Sequence, residues 1–169
     1  MRPAKFIEKD LSIPSSHDAE KLRQVKATPS GRLLAIDLGT KRVGIAVTDE
    51  LQITVTPLER LERRSWKELL GRVTAMVDSY DARALIIGLP LNMDGTRGVA
   101  AEDAVRIAEN FRKSLSVPVF LQDERLTSLA AESEMRERGV APEEIDQRLD
   151  SESAAIILSD FLAAQVGKD

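Results

Sequence analysis

A chain of 169 residues suits one compact domain with at most a tail, and a 43% hydrophobic content is enough for a core that needs no staple. There is no cysteine, and the single histidine, His17, lies in a polar stretch; disulfides, thiolate zinc sites and cysteine nucleophiles are excluded, and a His-based triad or metal site is disfavoured. A resident metal would be a hard, oxygen-liganded ion such as Mg²⁺ or Mn²⁺. The formal charge of −4 argues against a protein that coats nucleic acid through bulk electrostatics, while leaving room for a local basic surface.

Residues 1–31 mix charges, Ser and Pro without sustained periodicity and end in Thr28-Pro29-Ser30-Gly31, so they read as a flexible N-terminal extension. The folded domain is expected over 32–166. Arg32 to Asp37 is an apolar run ending in a carboxylate, a buried strand, with Val43 to Thr48 as its hairpin partner. Ile53 to Leu58 predicts a weaker third strand that Pro57 places at an edge. Ser65 followed by Glu68 is a capping box, and Trp66, Leu69, Leu70, Val73, Val77 and Tyr80 recur behind it at helical spacing. Ala84 to Leu89 predicts a buried parallel strand and Pro90 to Gly98 a loop. Ala101, Ala104, Ala108, Phe111 and Leu115 mark the next helix, and Val117 to Leu121 the last strand. Thr127 then caps a helix stopped by Gly139, Pro142 opens a short one, and Asp150 or Ser151 caps a final one. This order predicts an α/β fold with a mixed five-stranded sheet and helices on its faces. No run is long enough to cross a bilayer, and no signal-peptide core is present, so a cytoplasmic protein without membrane contact is expected.

Three acids stand at element ends: Asp37 after the first strand, Glu124 after the last, and Asp150 at the C-terminal helix. If the later strands run parallel to the first, the two strand-end acids share one rim. Converging carboxylates repel unless a cation compensates them, which is the preparation for two-metal phosphodiester chemistry, with ions roughly 3.5–4 Å apart. Each acid also has a purely structural reading: turn chemistry for Asp37, a solvated pair with Arg125 for Glu124, a helix N-cap for Asp150. Lys41 and Arg42, in the loop after Asp37, could reach a phosphate or form a solvated turn. Arg125 could contact phosphate or orient Glu124, Asn92 and Asp94 would shape the turn at Asp94-Gly95, and Asp49 is expected to be structural. Arg63-Arg64, Arg112-Lys113 and Arg136 with Arg138 read as solvated helix surface, from which a basic track could be drawn. One Trp and one Tyr, both on a buried helical face, leave no aromatic platform for stacking bases.

Four blocks carry a closer likeness. Leu34 to Val47 (LAIDLGTKRVGIAV), Ile86 to Thr96 (IIGLPLNMDGT), Asp123 to Ser128 (DERLTS), and Leu149 to Ser151 with Ala154 to Leu158 resemble, in order and spacing, the motifs of the YqgF/RuvX family. The resemblance covers Arg32 to Leu162. It implies a ribonuclease-H-like fold, a nuclease activity in maturation of the 5′ end of 16S rRNA or resolution of Holliday junctions, and structured RNA or branched DNA as partner. By motif position it implies Asp37, Glu124 and Asp150 as metal-binding catalytic carboxylates, with Mg²⁺ or Mn²⁺ as cofactor. Lys41, Arg42, Arg125 and Asn92 would contact substrate. Whether the protein is a monomer or a homodimer is open at this point. Two rivals stand beside this reading. An ATP-handling fold of the actin and sugar-kinase type shares Asp37-Leu38-Gly39-Thr40 but needs about twice this length. A non-catalytic nucleic-acid or ribosome-associated factor would not need all three acids.

Overall fold

The structure is a computed structural model that describes residues 29–125, 133 and 135–166, with backbone alone at 146–151 and 166. The expected extension over 1–31 falls outside it except for Pro29 to Gly31, whose Pro29 and Gly31 carbonyls accept hydrogen bonds from the Gln52 amide at 2.7 and 2.8 Å. Thr127, the expected helix cap, also lies outside the described residues.

Five strands form one sheet in the order β3-β2-β1-β4-β5. They are β1 (Leu33–Leu38), β2 (Arg42–Thr48), β3 (Val55–Glu62), β4 (Ala84–Leu89) and β5 (Val119–Asp123). β1, β2 and β3 pair antiparallel, whereas β4 runs parallel to β1 and β5 parallel to β4. This is the mixed sheet of the ribonuclease-H-like fold. β3 is an edge strand, where Pro57 costs no ladder bond.

Helices α1 (Trp66–Ser79) and α2 (Val99–Ser114) cover one face and α3 (Pro142–Val166) the other. Alternation along β1 divides its side chains between the layers. Leu34 and Ile36 join Val73, Ile107 and Phe111 in one cluster, while Leu33 and Ala35 join Ala154, Ile157 and Phe161 in the other. α1 starts where expected, with the Glu68 amide donating to Ser65 Oγ at 3.2 Å. Trp66 packs edge-on against Phe111 with ring centroids 4.8 Å apart. Gly139, at φ +77°, ends a helical stretch at 135–137, and its amide donates to the Arg136 carbonyl.

Two expectations are corrected. The short helix from Pro142 and the final helix are one, α3, which passes through Asp150 and Ser151 without interruption. Neither residue is an N-cap, because no Gly or Pro occurs between Glu143 and Val166 to break the helix. The third and last strands also run later than expected, over Val55–Glu62 and Val119–Asp123.

Thr48, buried at 2% exposure, accepts a hydrogen bond from the Leu33 amide at 2.8 Å and so satisfies a donor at the start of β1. The near-isosteric Thr48→Val strands that amide and should cost about 1–3 kcal/mol in urea unfolding. Unchanged stability would mean the Leu33 amide finds another acceptor.

Candidate active site

The parallel run β1-β4-β5 brings the C-terminal ends of these strands to one rim. Asp37 is the penultimate residue of β1, and Glu124 follows β5 directly, its amide donating to the Leu89 carbonyl at the end of β4 at 3.2 Å. Gly88 of β4 makes room between them. A Cβ there would lie 2.5 Å from Glu124 Oε2 and 2.6 Å from Ile157 Cδ1, so the carboxylate and a side chain of α3 both occupy space that any other residue would fill.

Glu124 is consequently short of water and faces like charge. Burial, then the negative charges of Asp37 and Asp123, push its carboxyl from the 4.5 of an ordinary glutamate up to about 8. Its neighbour Asp123 has the opposite fate. Arg125 donates to it from Nε at 2.8 Å and from its backbone amide at 3.0 Å, and these bonds outweigh burial to hold its carboxyl below the usual range.

Asp150 belongs to the backbone of α3, four residues before Ala154 and seven before Ile157, two residues on the stripe that meets the sheet. The helix crosses the sheet, packing against β2, β3 and β1 as well as β4 and β5. Ile157 lies over Gly88, and Phe161, one turn on, meets Phe120 at 5.4 Å, level with Ile86. Asp150 lies two turns before Ile157, roughly 10 Å along the helix axis.

Among the described residues no three carboxylates are grouped closely enough to hold a metal ion. The donor chemistry nevertheless fits a hard cation: Glu124 feels the charges of Asp37 and Asp123, and both are negative. One turn beyond Asp150, Ser153 Oγ is buried without a hydrogen-bond partner among the described residues.

The loop after Asp37 is a two-residue turn, Thr40-Lys41, closed by a bond from the Gly39 amide to the Arg42 carbonyl at 2.9 Å. A Cβ on Gly39 would sit 2.7 Å from that carbonyl oxygen, so glycine alone fits. Lys41 and Arg42 line an open pocket of about 430 Å³ together with Asp37, Gly44, Arg60 and Glu62. Arg42 also pairs with Glu62 at 3.9 Å, an exposed contact of little energetic weight. On the other flank, Asn92 Nδ2 donates to Thr96 Oγ1, and Asp94 Oδ1 accepts from the Thr96 amide, shaping the turn as expected. Arg125 reaches this turn too, with Nη1 3.1 Å from where a Gly95 Cβ would be. Asp49 is structural, its Oδ1 accepting the Ile53 and Thr54 amides.

One arginine assigned to solvated helix surface, Arg63, is not there, whereas Arg112 is on the exposed surface of α2 as expected. Arg63 follows β3, is 19% exposed, donates to the Gly39 carbonyl at 2.9 Å and pairs with Asp103 of α2 at 2.5 Å. It thereby ties the turn beside Asp37 to the helix layer. Arg112 donates from Nε and Nη2 to the Val119 carbonyl at 3.1 Å, fixing the start of β5. Arg60 and Glu62 are pocket residues that the sequence analysis did not single out. The signal was present: Leu58 and Leu61, three residues apart, both pack into one cluster, which an unbroken strand forbids.

Residues 31–164 match the family described as "RuvX: Holliday junction resolvase". The chain belongs to the RuvX family. Among RuvX relatives, a "Putative pre-16S rRNA nuclease" of Syntrophus aciditrophicus (strain SB) is 38% identical over 133 residues, covering 79% of this chain and 89% of the relative. One of the same name from Anaeromyxobacter sp. (strain K) is 41% identical over 131 residues, covering 78% and 96%. Among solved structures, T. thermophilus RuvC in complex with Holliday junction substrate is similar at 17% identity and a TM-score of 0.47, over 81% of this chain and 96% of that one.

The Glu124 shift sets a pH dependence for the metal-free RuvX domain. Its folded-state value is above that of the unfolded chain, so between about pH 4.5 and 8 the native state keeps a proton that the unfolded state has lost. This contribution is present below that window and is lost as pH rises through it, at most about 1.4 kcal/mol per pH unit. Melting of metal-free protein across the window should show the decline, and Glu124→Gln should flatten it. An identical slope in the variant would show that other groups govern the dependence.

Proposed function

We propose that this RuvX protein is a divalent-metal-dependent endonuclease that hydrolyses phosphodiester bonds in maturing the 5′ end of precursor 16S rRNA. The observation that carries the reading is the like-charged pair of Asp37 and Glu124, held together over Gly88 at the sheet's rim. A protein gains nothing in stability from forcing two carboxylates together, so the cost points to a cationic partner. Asp37, Glu124 and Asp150 would hold Mg²⁺ or Mn²⁺. The ion would supply charge compensation and Lewis-acid activation at a phosphate.

The chain's own residues have separate tasks. Lys41 and Arg42 meet the substrate backbone in the pocket beside Asp37, and their charge opposes that of the transferring phosphate. Arg125 and Asn92 contact substrate from the opposite flank, where Asp123 and Thr96 hold them in place. The substrate assignment draws on the name carried by the curated relatives. The family description supports a second substrate, the four-way DNA junction. Trimming a precursor requires one cut per site and suits a monomer, whereas paired incisions would favour a homodimer. Among the described residues no helix is long and apolar enough to cross a membrane, and the reading places the protein in the cytoplasm with its substrate. The catalytic unit is residues 32–166, with 1–31 an accessory.

The test compares cleavage of precursor 16S rRNA and of a four-way DNA junction at one salt concentration, with Mg²⁺, Mn²⁺ or chelator. The wild type should cut the RNA only with the ion, and Asp37→Asn and Glu124→Gln should each lose at least about 100-fold in rate. Equal cleavage by wild type and Asp37→Asn would place the activity elsewhere. Deleting residues 1–28, which leaves the Pro29 and Gly31 contacts to Gln52 intact, should spare turnover. Abolished cleavage in a folded truncation would make the extension part of the site.

A further inference from the structure

The pairing of β2 with β3 slips by one residue beside the site. Val43 pairs with Leu61 and Ile45 with Leu58, so two residues of β3, Glu59 and Arg60, stand opposite Gly44 alone. On its other side Gly44 pairs with Asp37. A row therefore crosses three strands: Asp37 on β1, a residue without a side chain on β2, and the bulge on β3. Leu61 packs into the cluster beneath α1 and α2, so alternation puts Arg60 on the opposite face, which is also that of Asp37. The common pocket lined by Asp37, Gly44 and Arg60 agrees.

We propose that Arg60, in the pocket it shares with Asp37, forms a subsite for a backbone phosphate next to the one at Asp37 and Glu124. The inference rests on the nucleic-acid reading above and extends it to a residue outside the recognised motifs. A bulge re-aims one side chain while leaving the strand paired, and here it turns an arginine of the edge strand toward the rim. Gly44 contributes no side chain of its own to the row between Asp37 and Arg60. Neighbouring strands lie about 4.8 Å apart, so the Arg60 backbone is roughly 10 Å from that of Asp37. That separation suits a flanking phosphate better than the scissile one. Lys41, Arg42 and Arg60 together outnumber Asp37 and Glu62 in the pocket, giving a local cationic balance in a chain whose net charge is −4.

A flanking contact is made equally in the ground and transition states, so its loss should raise KM and leave kcat unchanged. The experiment uses the full chain carrying Asp37→Asn, titrated by fluorescence anisotropy with a labelled RNA duplex with single-stranded flanks, and with a labelled four-way DNA junction. Salt is varied from roughly 50 to 200 mM. Adding Arg60→Ala should weaken binding about 5- to 10-fold and reduce the slope of log K against log salt by about 0.7–0.9, one phosphate contact. Arg60→Lys, which keeps the charge, should restore most of both. Arg64→Ala, which removes an exposed charge just beyond β3 and outside the pocket, is the control for net charge. Arg60→Ala matching Arg64→Ala in affinity and slope overturns the subsite. So does a fall in kcat at unchanged KM and affinity when Arg60→Ala is made with Asp37 intact. A wild type that binds but does not cleave defeats the nuclease reading while the affinity and slope still judge Arg60. A wild type that binds neither probe defeats both.

Discussion

Asp37 and Glu124 stand on one rim of the sheet, near enough for the charge of Asp37 to raise the Glu124 carboxyl. The parallel sequence β1-β4-β5 fixes both on one rim. Gly88, between them on β4, supplies the volume that Glu124 occupies, and Ile157 closes the space from the α3 side. A carboxylate exposed to water beside another would be screened and almost unperturbed. The same pair partly removed from water shifts strongly, which is why burial outranks the Asp37 charge in raising Glu124. Stability alone would favour replacing either acid, so the arrangement is a cost the core must offset elsewhere. The two clusters of buried aliphatic side chains on either face of the sheet supply that surplus.

The loops at this rim are fastened by arginines. Arg63 bonds the Gly39 carbonyl and Asp103 at once, which a lysine could not do with the same planar geometry. Arg125 is held on Asp123 and reaches the turn at Gly95. Asp123 and Glu124 are adjacent in sequence yet electrostatically opposite: one is neutralised by an arginine, the other left among like charges. The Gly39 and Gly95 turns are thus tethered to rigid elements before a ligand arrives.

What the sequence disclosed and what it hid divide along physical lines. Strands ending in acids, the Ser65 cap, the stop at Gly139 and the edge position of β3 are local signals, written in periodicity and turn chemistry, and the structure has them all. The mixed sheet followed from the element order, three strands and then alternating helices and strands, and the parallel β4 from the unbroken apolar run of Ala84 to Leu89. The carbonyl bonds of Arg63 and Arg112 stayed hidden because a guanidinium bonded to a carbonyl is written with the same letter as one in water. The break placed before Asp150 failed for a related reason. Asp and Ser are good N-caps, but they end no helix by themselves, and nothing in α3 after Pro142 forces an end. The bulge at Glu59-Arg60 was readable in the three-residue spacing of Leu58 and Leu61, a pattern that fits neither an unbroken strand nor a helix of that length.

The charge of −4 also takes on a different meaning once the cations are located. Lys41, Arg42 and Arg60 gather in the pocket next to Asp37, and Arg63 and Arg112 are bonded to backbone carbonyls within the domain. Both of these arginines are committed to holding the domain together. A chain with so few committed phosphate contacts would release few counterions on binding, and its affinity would depend less steeply on salt than that of a protein that coats nucleic acid. Discrimination then has to come from where the backbone of the substrate can bring a phosphate to the rim, and so from the shape of a folded RNA or a branched DNA. Unpatterned sequence would be gripped weakly along its length. A substrate whose fold presents adjacent phosphates at the right spacing would meet the carboxylates and the pocket cations together.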